Sequence, residues 1–62
     1  MNKAAKFKLK EDENSEIAIN QSDIQEIVPD ADFRFSLIIL NNGDKHFVHG
    51  TEQEIRNTLS GH

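Results

Sequence analysis

The segment Phe33–Leu40 constrains the fold more than any other part of the chain, because as a strand it is apolar on both sides. It begins as an alternation of apolar and polar residues and ends in four consecutive aliphatic residues. Alternate residues of a strand point to opposite faces of the sheet. One face carries Phe33, Phe35, Leu37 and Ile39, and the other carries Ile38 and Leu40. A chain of 62 residues covers a second sheet face only with difficulty, so the segment predicts that a helix, a hairpin or another chain must close it.

Size and composition predict one small domain, residues 1–62, without covalent staples. The chain has no cysteine, which excludes disulfides and thiolate metal sites. Cores below about 70–80 residues rarely supply more than about 3–5 kcal/mol, so oligomerisation is the remaining common support. Seven Lys and Arg against 11 Asp and Glu give a net charge of −4, which argues against broad binding to nucleic acids or anionic membranes. Because no apolar run resembles a membrane span or a secretory signal, we expect a cytoplasmic protein.

The first third of the chain predicts a hairpin. Lys6–Lys10 alternates strictly and predicts a strand with Phe7 and Leu9 turned inward and the lysines in water. Glu16–Asn20 predicts its partner strand, across an acidic turn. A turn and then a short strand are expected next, at Asn20–Asp23 and Ile24–Val28.

A second hairpin is predicted around Asn42-Gly43, a dipeptide typical of tight hairpin turns. Lys45–His49 is the return strand. A two-residue loop pairs Ile38 with Phe47, whereas a three-residue loop with Gly43 at a bulge pairs Leu37 with Phe47 and exchanges the two faces. Both alternatives stay open, and in both of them each face of the hairpin carries apolar side chains.

A short C-terminal helix is predicted after Gly50. Thr51 and Glu54 have the spacing of a capping box, which places the helix from Glu52 to about Leu59. Ile55 and Leu59 lie four residues apart on one side, so the helix covers one sheet face at most. The expected fold class is α+β: a four- or five-stranded, mainly antiparallel, bent sheet, barrel-like or sandwich-like, with one short C-terminal helix.

The candidate chemical groups do not form a recognisable site. His46 and His49 are three residues apart on a predicted strand and point to opposite faces, which disfavours a shared metal ion. The acidic run Glu11–Glu13 lacks the spacing of a calcium loop. Neither a nucleophile elbow nor a glycine-rich phosphate loop occurs in the sequence. We therefore expect no enzymatic activity, no cofactor, no metal and no small-molecule substrate.

One basic stripe suggests an alternative function. Lys6, Lys8 and Lys10 fall on one side of the first predicted strand and could contact phosphates. Because the remaining chain is acidic and no aromatic residue interleaves the stripe, a solvated outer face is the favoured interpretation.

The order of strands, turn and capped helix resembles a family of small bacterial proteins, the FlbD-like swarming-motility regulators that accompany flagellar genes. The matching residues span roughly residues 17–59. They are Ile19-Asn20, Ile24, Ile27, Leu37–Gly43, Val48 and Thr51–Ile55. The end of LytTR DNA-binding domains is similar to the same hairpin and helix. The resemblance implies a small β-rich fold with a C-terminal helix.

The sequence favours a small non-catalytic regulatory or adaptor protein that acts through protein–protein contact, with another protein or as a homodimer. Ile38, Leu40 and Phe47 are the predicted contact residues, with Phe35 and Leu37 in the core; the open register could exchange these sets. The alternatives are a nucleic-acid-binding accessory protein that uses the Lys6, Lys8 and Lys10 face, and a subunit or inhibitor of a larger enzyme.

Overall fold

The computed structural model describes residues 4–32 and 34–60 and shows two antiparallel sheets with one short helix. The elements in chain order are β1 (Ala5–Lys8), β2 (Glu16–Ile19), a 3-10 turn (Gln21–Asp23), β3 (Ile24–Pro29), β4 (Phe35–Leu40), β5 (Lys45–His49) and α1 (Glu52–Leu59). Strands β1 and β2 form one sheet, and the other has the order β3-β4-β5. The predicted α+β class is confirmed, with the strands divided between two sheets. Phe33, predicted to begin the long strand, and Gly61, predicted to stop the helix, lie outside the described residues.

The two sheets meet where β1 runs on toward β5. Leu9 forms a single antiparallel bridge with Val48. The backbone N of Lys10 donates a hydrogen bond of 2.9 Å to the carbonyl of Phe47. Among the described residues β2 and β3 are not paired with each other, so the strands do not close into a barrel.

One apolar core lies between the sheets and the helix. Its buried side chains come from both sheets and from α1: Phe7, Ile19, Ile27, Ile38, Val48 and Ile55. The partly buried side chains packed against it are Ala5, Leu9, Ile17, Ile24, Leu40 and Leu59. The inward orientation predicted for Phe7 and Leu9, and the apolar side of the helix, are therefore confirmed.

The helix begins with the predicted capping box. The Thr51 hydroxyl accepts a hydrogen bond of 3.1 Å from the backbone N of Glu54, and the Glu54 carboxylate accepts one of 3.0 Å from the backbone N of Thr51. These two bonds satisfy amides that the first helical turn leaves without partners. They fix α1 at the end of β5, where Ile55 enters the core.

The second hairpin adopts the three-residue loop. The backbone N of Leu40 donates to the carbonyl of Asp44 at 2.8 Å, and the backbone N of Gly43 donates to the carbonyl of Leu40 at 2.9 Å. Gly43 has φ of 95°, whereas no non-glycine residue in the described part of the chain has a positive φ. A two-residue type I′ turn would need positive φ at Asn42 as well. Leu37 therefore pairs with Phe47.

This register decides which β5 residues lie on the same face as Ile38 and which lie on the same face as Leu37. Ile38 is 0% exposed, and Leu40 packs against the core. Of the three predicted contact residues, only Phe47 lies on the opposite face, where it is joined by Phe35 and Leu37, which were predicted to be core residues. The reason is that a one-residue change in register moves each side chain to the other side of the sheet.

Candidate protein-contact surface

The sheet of β3, β4 and β5 has a second face, turned away from the core, which we call the outer face. Residues paired across an antiparallel ladder point to the same side, so the register identifies its members. They are Glu26 and Val28 of β3, Phe35, Leu37 and Ile39 of β4, and Lys45, Phe47 and His49 of β5. A row of apolar side chains crosses all three strands at Val28, Leu37 and Phe47.

Five apolar side chains of the outer face stand apart from the core. They are Val28, Phe35, Leu37, Ile39 and Phe47, and among the described residues none belongs to the core cluster or to the side chains packed against it. Phe47 is 40% exposed, and the other four are half-buried. The two apolar faces predicted for the long strand are thus present, and the helix and the first hairpin cover only one of them.

Lys10 lies across one end of the outer face. Its ammonium nitrogen is 5.1 Å from the ring centre of Phe35 and 5.2 Å from that of Phe47, within the range of cation–π attraction. The same nitrogen donates a hydrogen bond of 2.8 Å to the Asp30 carboxylate. The alternation of Lys6–Lys10 predicted Lys10 in water beside Lys6 and Lys8, which is wrong: the backbone of Lys10 bonds to β5, and its side chain lies against the aromatic rings.

Two acidic residues before β4 are held in their charged form. The hydrogen bond from Lys10 lowers the pKa of the Asp30 carboxyl below its ordinary value. The Arg34 guanidinium, which donates to Asp32 at 2.8 Å, lowers the pKa of that carboxyl to about 2, and Asp32 in turn raises the pKa of Arg34. Together these pairs secure the chain where it enters β4.

The histidines do not come together. His49 lies on the outer face, where its ring meets the edge of Phe35 with the ring centres 4.8 Å apart, whereas His46 pairs with Ile38 on the core side. The Nε2 atom of His49 is 4.0 Å from a Glu13 carboxylate oxygen and has no hydrogen-bond partner within the described part of the chain. Across residues 4–32 and 34–60, no group of three His, Asp or Glu side chains is placed to hold a metal ion.

Two open depressions lie beside the helix. The larger has a volume of about 480 Å³ and is lined by Thr51, Glu54, Arg34 and His49 among others. Its hydroxyl and carboxylate groups at Thr51 and Glu54 are both engaged in the capping box. Those two groups therefore have a structural role that explains their position.

The basic stripe is shorter than predicted. Lys6 and Lys8 are exposed on β1, and Glu16 lies directly opposite Lys8 on β2. Lys10 has turned away from them toward Asp30. The described surface of the first hairpin thus presents two lysines with a carboxylate beside one of them.

No family model, curated protein sequence or solved structure matches this chain significantly. The resemblance to FlbD-like proteins and LytTR domains stays a prediction. The one described helix, α1, is too short and too polar to cross a membrane.

Sequence reasoning missed three charged members of this region: Glu26, Lys45 and Asp30. Lys45 follows from strand parity once Gly43 is taken as the third loop residue, whereas Glu26 also requires the pairing of β3 with β4. Strand parity does not identify Asp30, because its partner Lys10 follows a strand of the other sheet and is positioned by the junction between β1 and β5.

Proposed function

We propose that this chain is a small non-catalytic regulatory or adaptor protein that acts by binding another protein chain through the outer face. The observation that carries the proposal is the set of five apolar side chains that stand outside the core, led by the exposed ring of Phe47. Burying such surface in a partner gains roughly 25 cal/mol per Å² of apolar area. An apolar patch that contains aromatic residues and has charges at its margin is typical of protein interfaces.

The charge distribution supports a protein rather than a nucleic acid as the partner. The net charge is −4. Among the described residues, Lys6 and Lys8 are the only two lysines exposed side by side on one strand, and Glu16 lies opposite Lys8. A subunit or inhibitor of a larger enzyme would use the same outer face, so that alternative differs only in the identity of the partner.

The proposal is tested by affinity capture from the native host with three baits. The wild-type chain is compared with Phe47→Glu on the outer face and with Ala18→Glu, which adds the same charge at an exposed position of β2. Circular dichroism melts verify that both variants fold. We expect a protein, either a second copy of the chain or another one, that is retained by the wild type and Ala18→Glu and is lost with Phe47→Glu. Capture that Phe47→Glu leaves unchanged would contradict the proposal.

A further inference from the structure

We propose that the occupant of the outer face is a second copy of this chain, packed face to face about a two-fold axis that runs parallel to β4. This inference rests on the proposed function, because it names the partner of the same surface. Its basis is the way in which charge is distributed across the three strands.

At the row of Ile39, the outer face carries an acidic residue on one side and a basic residue on the other. Glu26 of β3, Ile39 of β4 and Lys45 of β5 form one row across the sheet. Glu26 and Lys45 are both exposed. Because neighbouring strands lie about 4.8 Å apart, the backbone positions of these two residues are separated by roughly 10 Å, with an aliphatic side chain between them.

Rotation by 180° about an axis along β4 makes this pattern complementary to itself. The rotation places β3 of one copy opposite β5 of the other. Each row of one copy then faces the same row of the other copy. Glu26 then faces Lys45 of the second copy, and Val28 faces Phe47 of the second copy. Leu37 and Ile39 lie close to the axis and meet their own counterparts, so the centre of the contact is apolar and both margins carry opposite charges.

A two-fold axis running across the strands would not give this match. It places β3 opposite β3 and β5 opposite β5 of the second copy, and it reverses the order of the rows along the strands. Glu26 would then approach Asp30 of the second copy, and Lys45 would approach the end that carries His49 and Lys10. Because Asp30 and Lys10 already pair with each other, neither Glu26 nor Lys45 would gain an opposite charge from them in that arrangement, which therefore lacks the electrostatic match.

The position of Lys10 limits the extent of the contact. Its side chain lies over Phe35 and Phe47, so the contact is centred between the rows of Leu37 and Ile39, and the Lys10–Asp30 pair stands at the rim. A low-end interface of about 600 Å² per chain would cover about one seventh of the 4428 Å² surface. Interfaces at this low end of the size range are typical of weak, transient complexes, so we expect a weak dimer.

Charge reversal tests the geometry by sedimentation equilibrium. The single variants Glu26→Lys and Lys45→Glu each place like charges opposite each other at two symmetric positions, so we expect each to dimerise on the order of tenfold more weakly than the wild type. Carrying both changes in one chain restores the opposite charges and the dimer. An equimolar mixture of the two single variants also restores it. In the mixed pair, each of the two charged contacts joins a lysine of the Glu26→Lys chain to a glutamate of the Lys45→Glu chain, as the rotation requires.

The matched control is the pair Lys8→Glu with Glu16→Lys, which makes the same charge exchange on the other sheet and should leave the dimer unchanged. A chain that stays monomeric up to millimolar concentration would overturn the inference. A dimer whose stability is unchanged by the charge reversals would also overturn it, and so would a mixture of the two single variants that associates no better than either variant alone. The proposed function is judged separately: it stands if a different protein is captured through Phe47 by a monomeric chain, and it falls if Phe47→Glu has no effect on capture.

Discussion

Valine substitutions at Ile38 and Ile39 test the assignment of the two faces of β4 within one strand. The two residues are neighbours in sequence, share the same chemistry and lose the same methylene group. Ile38 is 0% exposed in the core, whereas Ile39 is half-buried on the outer face. A difference between the variants therefore reports the environment of each side chain and little else.

The expected magnitudes follow from burial. Removing a methylene from a fully buried isoleucine costs the lost transfer free energy plus a cavity term, so Ile38→Val should lower the free energy of unfolding by about 1 kcal/mol. The Ile39 side chain does not pack against the core, so Ile39→Val should lower the free energy of unfolding by less than about 0.5 kcal/mol. Since β-propensities of isoleucine and valine are similar, the strand itself contributes little to the difference.

Thermal and urea denaturation followed by circular dichroism measure both variants. The protein concentration is kept at a few micromolar, so that association into a weak dimer does not stabilise the folded chain. For a domain of this size, Ile38→Val should lower Tm by about 4–8 °C and Ile39→Val by less than about 2–4 °C. Equal losses, or a larger loss for Ile39→Val, would refute the placement of the core.

Three further predictions concern single interactions. Ser36 is fully buried and its hydroxyl donates to the Gly50 carbonyl at 2.9 Å, so Ser36→Ala should cost about 1–2 kcal/mol in urea denaturation; a neutral result would contradict the role of that bond. Gly43→Ala should cost about 1–2 kcal/mol through backbone strain alone, because φ is +95° and no atom lies within 4 Å of an added Cβ; unchanged stability would speak against the loop. Because the pKa of Asp30 is lowered in the folded chain, its pair with Lys10 stabilises the fold above the unfolded pKa of about 3.9, and this contribution is lost as pH falls through the lowered folded value. The stability difference between wild type and Asp30→Asn should therefore be present at pH 7 and shrink below about pH 4, and a constant difference down to pH 2 would contradict the pairing.

Much of the fold could be predicted because its signals are local. The capping box at Thr51 and Glu54 requires only the residues of one turn, and it fixed the start of α1 correctly. The alternation in Lys6–Lys10 was enough to predict a strand and to place Phe7 in the core, although the strand itself begins and ends earlier, at Ala5–Lys8.

The register of the second hairpin could not be predicted because the dipeptide Asn42-Gly43 is compatible with two loop lengths. Asn42-Gly43 satisfies a two-residue turn, and Gly43 alone satisfies a three-residue loop with a bulge. Since β4 is apolar on both sides, its hydrophobic pattern does not choose between them. The choice placed Phe47 on the face of Leu37 instead of the face of Ile38.

The outer face needed tertiary information for a different reason. The Lys10–Asp30 pair joins residues 20 positions apart that belong to different sheets. No spacing rule connects them, because the junction of β1 with β5 forms only when both sheets are folded. The alternation around Lys10 indicated a solvated lysine, and the backbone bond to Phe47 overrode that pattern.

Isotope-filtered NMR on an equal mixture of labelled and unlabelled chains is the most direct test of the central claim, that a second copy covers the outer face. At a concentration where the dimer is populated, we predict intermolecular contacts from the methyl groups of Leu37 and Ile39 to the same residues of the other copy, and from Val28 to the Phe47 ring. The buried methyl groups of Ile38 and Val48 should show none. Intermolecular contacts that arise from another surface, or none from Leu37 and Ile39 in the associated state, would contradict it.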